Sequence, residues 1–204
     1  MNILLLGATG ATGQQILNQA LRAGDTVTVL VRHTGKLTIT HPHLRIIVGD
    51  ATSKAALASA MHTNEVLIST LGAMNTPVIT QSTTAILAAA KNTSLKRIIM
   101  LSSFAVKRNQ LTPSAKFLTG LAMKKIIADK IAGETLLRAG NLQWTIVYAT
   151  ALTNQPKNGH VRVMAPGEKI GLKNRISRAN VASWILAEIR NESFVDQEVV
   201  ISAA

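Results

Sequence analysis

Three glycines, Gly7, Gly10 and Gly13, follow directly on the apolar run Asn2–Leu6. They open a segment whose apolar residues recur at helical spacing, Ile16, Ala20 and Leu21, up to Gly24. A strand that turns through glycines into a helix is a demanding arrangement. The first glycine permits a tight turn denied to other residues. The second has no side chain, so a phosphate group can approach the backbone. The third lets the helix pack closely on the strand. The new helix then offers free N–H groups and the positive end of its dipole. Thr9 and Thr12 add hydroxyls to the same loop. The plain alternative is a glycine-rich turn with no ligand.

The spacing is G-x-x-G-x-x-G, and no Lys-Ser or Lys-Thr pair follows Gly13. That excludes a P-loop and points away from phosphoryl transfer. It fits the pyrophosphate of a dinucleotide. The end of the next strand selects the nucleotide, because NAD readers place an acid there to bond the ribose 2′-hydroxyl. Here the strand Thr26–Val31 runs into Arg32 and His33, with no acid. A guanidinium matches a 2′-phosphate, so the expected cofactor is NADP, with NADPH preferred over NADH and Lys36 as a further cation. A surface role for Arg32 is the alternative.

Apolar and periodic segments continue to alternate. Strands are predicted at Leu44–Val48, Glu65–Ser69, Lys96–Leu101, Gln143–Tyr148 and Glu198–Ile201. Helices are predicted over Thr52–Ala60, from Thr76 and Pro77 to Lys91, over Leu121–Ala139 and over Arg178–Arg190. Thr76 reads as an N-cap with Pro77 as first helical residue. Residues 107–119 read as a less regular cover of the site. This alternation predicts an α/β fold: a doubly wound Rossmann-type parallel sheet with helices on both faces. Residues 1–204 are expected to form a single domain, with 149–178 as a substrate-side loop region and a small C-terminal extension.

Composition narrows the chemistry. The chain has 204 residues, of which 47% are hydrophobic, enough to cover both faces of a sheet. It has no cysteine, so disulfides, thiolate metal sites and cysteine nucleophiles are excluded. His41-Pro42-His43 lacks the partners of a metal site. No G-x-S-x-G elbow is present. No apolar run reaches the length of a membrane span, and no basic segment precedes Met1–Leu6 as in a signal peptide. A cytoplasmic protein is expected. The formal net charge is +12, with the cations scattered along the chain rather than gathered in an arm. Aromatics are 3%, too few for a base-stacking platform, so nucleic acid is an unfavoured partner.

The motifs, in order, resemble the atypical short-chain dehydrogenase/reductase superfamily. Within it the chain is similar to the NAD(P)H-binding, NmrA-like group that includes flavin reductase/biliverdin-IXβ reductase. The resemblance rests on Gly7–Gly13, Val31-Arg32, Gly49-Asp50-Ala51, Ser69-Thr70-Leu71-Gly72, Leu101-Ser102-Ser103, Trp144–Val147 and Ile176–Ala182. It implies that Gly7, Thr9, Gly10, Ala11, Thr12 and Gly13 surround the pyrophosphate. It also implies that Asp50 and Ala51 lie beside the adenine, and that Thr70, Leu71 and Gly72 run along the ribose nearer the nicotinamide. Ser103, with Ser102 beside it, takes the active-site serine position. From the residues alone, Asp50 reads equally as a turn residue and the serines as strand-end backbone partners.

The chain departs from the superfamily at its usual acid, a Tyr four residues before a Lys. Lys130 matches that Lys, but the earlier position is Ile126. The only tyrosine is Tyr148, at the end of the sixth strand, a candidate for the substrate side as much as for core or rim. The His that follows this strand in the biliverdin reductase pattern is replaced by Ala149-Thr150-Ala151. The implied function is an NADPH-dependent reductase passing hydride to a flavin, quinone or similar flat acceptor. Such an acceptor needs little help from a protein acid. The alternative is a non-enzymatic NADP(H)-binding redox sensor with a protein partner.

Overall fold

The computed structural model describes residues 1–73 and 76–204. Strands β1 (Asn2–Leu6), β2 (Thr26–Val31), β3 (Leu44–Val48), β4 (Val66–Ser69), β5 (Arg97–Ser103) and β6 (Gln143–Ala149) run parallel. Beyond β6 the chain adds β7 (Ala151–Thr153), β8 (Val161–Val163), β9 (Arg175–Ser177) and β10 (Gln197–Ala203). The eight-stranded sheet has the order β3-β2-β1-β4-β5-β6-β10-β8, parallel except for β8, which pairs antiparallel with β10. Strands β7 and β9 form a separate parallel pair. The strand order reverses between β1 and β4, where doubly wound sheets bind ligands.

The apolar runs are continuous because both faces of each central strand are buried. Ile3 and Leu5 face one cluster with Val27, Val29, Ile99 and Val147. Leu4 and Leu6 face the other, with Leu67, Ile98, Met100 and Ile146. Helices α1 (Ala11–Arg22) and α6 (Arg178–Asn191) pack together and supply the first cluster. Helices α2 (Lys54–Met61), α3 (Val78–Ala90) and α5 (Lys124–Arg138) cover the opposite face. Each fully buried Leu or Ile adds about 1.5–3 kcal/mol of transfer free energy. Among the described residues, no helix is long and apolar enough to cross a membrane.

Two helix boundaries differ from the sequence reading. The cap of α3 is not Thr76: Pro77 occupies the N-cap position and has no side-chain hydroxyl to cap with. The Asp129 carboxylate on α5 replaces it, accepting from the N–H groups of Ile79 and Thr80, each at 2.9 Å. The helix expected over Leu121–Ala139 is α5, beginning at Lys124, while residues 107–119, expected to be irregular, hold most of a separate helix α4 (Pro113–Ala122), divided from α5 at Met123 with φ −124° and ψ 14°. The run Met123-Lys124-Lys125 consists of good helix formers, so propensity gives no sign of the break. The Thr119 hydroxyl bonds back to the Ala115 carbonyl at 2.7 Å just before it, a contact that bends helices.

Candidate functional site

The glycine loop is built as tightly as its composition suggests. Gly7 has φ +84°, a left-handed conformation that side chains resist. A Cβ there would also lie 2.5 Å from the Thr70 hydroxyl, so β1 and β4 meet at the switch point without room for a methyl. A Cβ on Gly13 would fall 2.1 Å from the Gly7 carbonyl oxygen. Helix α1 therefore begins close against the strand end. Gly10 is its N-cap, exposed and without a side-chain cap, so the first-turn N–H groups of α1 keep their donors for a ligand. Ala11 is exposed beside it, while Thr12 is buried.

A cleft of about 310 Å³ opens from this loop across the strand ends. It is lined by Gly7 and Thr9, by Arg32 from the end of β2, by Asp50 and Ala51 after β3, and by Leu71 and Gly72 after β4. These seven sequence candidates thus share one cavity, with Thr70 packed against Gly7 beneath it. Arg32 is exposed and, among the described residues, has no carboxylate within ion-pair distance. Asp50 accepts from the Thr52 N–H at 2.8 Å and the Thr52 hydroxyl at 2.7 Å. Those bonds hold its carboxyl below the usual carboxylate range, and Arg32 adds a smaller pull in the same direction. Lys36 does not join Arg32: it borders a different crevice with Gln14 and Asn18. Val78 and Gln81 of α3 also line the cleft, and no sequence motif marked them.

The groups proposed for chemistry gather along β5, β6 and α5. Ser103 is half-buried, and its hydroxyl accepts from the Ala105 N–H at 3.3 Å, capping a 3-10 turn at Phe104–Val106. Ser102 points to the other face, where it is buried and donates to the Glu134 carboxylate at 2.6 Å. Tyr148 is paired with Ser102 across β5 and β6, is 1% exposed, and donates to the second Glu134 oxygen at 2.6 Å. Burial first, and then the bond to Glu134, push the Tyr148 hydroxyl well above its ordinary range. Arg138 donates to Tyr148 at 3.0 Å and to Glu198 at 2.8 Å, and Lys107 stacks over the Tyr148 ring. Lys130 is buried one turn before Glu134, its ammonium donating to the Leu101 carbonyl at 3.3 Å. Burial pulls it down to about 8 against the opposing charges of Glu134 and Asp129.

Glu134, which gathers Ser102 and Tyr148, is a residue that sequence reasoning missed. Its one legible signal is the i,i+4 spacing from Lys130 within an otherwise amphipathic helix. Ile126, in place of the superfamily tyrosine, stands next to the cleft: a Cβ on Gly72 would lie 3.8 Å from its Cδ1. Among the described residues, the side chain nearest Gly72 at that point is thus an apolar one.

Comparison with known proteins agrees with this geometry. A family model described as NAD(P)H-binding matches residues 7–192. A curated relative, an uncharacterized chloroplast protein of Arabidopsis thaliana, is 24% identical, with 96% of this chain and 72% of that protein covered. A short-chain dehydrogenase/reductase of Veillonella parvula, solved in complex with NADP, superposes with a TM-score of 0.85. It shares 20% identity, with 98% of this chain and 93% of that one covered. An anaerobillin reductase of Escherichia coli O157:H7, ChuY, superposes with a TM-score of 0.83 at 22% identity, covering 98% and 96% of the two chains. At these identities the solved structures speak for the shared fold, and the match over residues 7–192 speaks for the family. The chain belongs to the NAD(P)H-binding family and has the Rossmann architecture of the short-chain dehydrogenases/reductases.

Proposed function

We propose that this protein is an NADPH-dependent reductase that passes hydride to a flavin, quinone or similar flat acceptor. The observation that carries the reading is the apolar Ile126 side chain packed against Gly72 at the edge of the cleft. Ile126 holds the position that the resemblance gives to the superfamily's acid, and the hydroxyls of Ser102 and Tyr148 are both committed to Glu134. A conjugated acceptor takes up hydride without a positioned protein acid, whereas an isolated ketone does not.

The loop fits a dinucleotide on its own geometry. Gly7 and Gly13 leave a cradle that a single methyl would fill, and the α1 N-terminus faces it uncapped. When bound there, the nicotinamide supplies the hydride. The protein holds the phosphates at Gly10 and Ala11, meets a 2′-phosphate with Arg32, and seats the adenine end against Asp50 and Ala51. Ser103 lies at the end of β5 to bond an acceptor oxygen once it releases Ala105. Lys130, with Nζ on the strand carbonyl of Leu101, fixes α5 against β5 at the same level. A cytoplasmic location suits such a cysteine-free, NADPH-dependent protein.

Consumption of NADPH with a panel of acceptors tests the reading. Turnover is expected with quinones and flavins and not with simple aldehydes or ketones. Firm NADPH binding without turnover on any acceptor would overturn it in favour of a redox sensor.

A further inference from the structure

Helix α4 turns its large apolar side chains outward. Among its described residues it buries the small Ala115 and the polar Thr119, one turn apart. It leaves Phe117 76% and Leu118 55% exposed, and Phe117 is the most exposed of the large hydrophobic side chains described. A surface helix that answers only to its own core carries the opposite pattern, with the apolar stripe inward. Leu172, also exposed, adds a third apolar side chain. Its stretch is bound to the start of α4: the Ile170 N–H donates to the Gln110 carbonyl at 2.8 Å, and the Thr112 N–H donates to the Ile170 carbonyl at 3.0 Å.

Cations accompany these apolar groups. Residues 104–125 and 150–178, joined by the bonds at Ile170, hold eleven of the 22 Lys and Arg residues and one of the ten Asp and Glu residues. That one acid, Glu168, is taken up by Arg162 through two hydrogen bonds of 2.7 and 2.9 Å. Arg108, Lys116 and Lys169 border one groove together with Phe117. Among the described residues none of the three has a carboxylate within ion-pair distance. Like charges held together repel one another. Apolar side chains left in water beside them bury nothing. A nucleic-acid duplex would meet the cations with phosphates but give Leu118 and Leu172 no apolar layer to enter. An anionic bilayer surface satisfies both at two depths. Its phosphates meet Lys and Arg, and the boundary of headgroup and acyl chain receives Phe and Leu.

We propose that this lobe docks the protein peripherally on a bilayer carrying anionic phospholipid. Phe117, Leu118 and Leu172 enter the boundary layer, and Arg108, Lys116 and Lys169 lie on the lipid phosphates. The docking goes beyond the reductase reading and does not depend on it.

Flotation of the whole chain with lipid vesicles tests it. One set is phosphatidylcholine alone, and the other is an equal mixture of phosphatidylcholine and phosphatidylglycerol. At low salt the protein is expected to bind the mixture at least about tenfold tighter, with the preference shrinking as salt screens the cations. Lys116→Glu combined with Lys169→Glu is expected to weaken binding to the mixture at least about tenfold. Phe117→Ser changes no charge and is expected to weaken binding about fivefold at every salt concentration. All three positions are exposed, so both variants should unfold at the wild-type temperature. Equal binding to the two kinds of vesicle, or wild-type binding by the charge-reversed variant, would overturn the proposal. So would displacement from the vesicles by a short DNA duplex that Phe117→Ser binds as tightly as the wild type, which would assign the charge to nucleic acid.

Discussion

Tyr148 donates its hydroxyl to Glu134 at 2.6 Å, inside a layer where the Glu134 side chain is 2% exposed. Ser102 takes the other oxygen of the same carboxylate. One acid thus ties β5, β6 and α5 together near the carboxyl ends of the two strands. Burying that carboxylate is tolerable only because donors surround it.

Removing the Tyr148 hydroxyl therefore affects folding before it affects chemistry. Tyr148→Phe is expected to lower stability by about 1–3 kcal/mol, the cost of leaving a buried charged acceptor short of a donor. NADPH oxidation by a quinone should change little. Denaturant unfolding and steady-state turnover check the two parts. A fall of the roughly 10²–10⁴-fold expected for a lost general acid, at unchanged stability, would place Tyr148 in the reaction instead.

Gly13 offers a sharper test of the loop. In Gly13→Ala the new methyl would meet the Gly7 carbonyl at 2.1 Å, so α1 must move away from β1. Overpacking of this kind costs about 1–3 kcal/mol, and the cradle opens with it. NADPH affinity should drop at least about tenfold, since each 1.4 kcal/mol of lost contact is a factor of ten. Wild-type affinity in a folded Gly13→Ala protein would show that the loop does not grip the phosphates.

Lys130 gives a pH signature. Its amine loses its proton at about 8 in the folded protein, against 10.5 ordinarily, because burial disfavours the charge. Between those values the unfolded chain holds a proton that the folded chain has released. Stability contributed by this group thus rises with pH through that window and is flat below it. The difference in unfolding free energy between wild type and Lys130→Met should climb from pH 8 to 10.5. A flat or falling difference would contradict the buried, neutralised amine.

Arg97 and Glu188 form a second buried pair, at 2.6 Å with side chains 2% and 3% exposed, far from the cleft on the inner end of β5. Arg97→Leu alone should cost about 3–5 kcal/mol, because it strands the Glu188 carboxylate. The double variant Arg97→Leu with Glu188→Leu should recover much of that loss. Equal destabilisation of single and double variants would mean the pair matters through packing and not charge.

The sequence made the cofactor half of the molecule legible because its determinants are local. A strand, a glycine turn and a helix occupy Asn2–Arg22 without interruption, and Arg32 is the first residue past the next strand. The chemistry half depends on contacts between distant segments. Glu134 reaches Ser102 across 32 residues and Tyr148 across 14, and nothing in the spacing of a long helix selects which acid turns inward. The division at Met123 leaves no composition signal. The cations read as scattered along the chain because half of them lie in two segments, residues 104–125 and 150–178, that are 24 residues apart and are brought together by bonds such as those at Ile170. Asp129 shows the same limit, capping α3 from a neighbouring helix where sequence spacing points to Thr76.

The most direct test of the central claim, a dinucleotide cleft tuned to NADPH by Arg32, is a fluorescence titration with NADPH and NADH. It is run on the wild type and on Arg32→Ala. The account predicts tighter binding of NADPH than of NADH by the wild type. In the variant NADPH affinity should fall about tenfold to a hundredfold, as loss of charge-assisted hydrogen bonds to a 2′-phosphate requires, while NADH affinity stays unchanged. No binding of either nucleotide, or an equal loss of both in the variant, would contradict it.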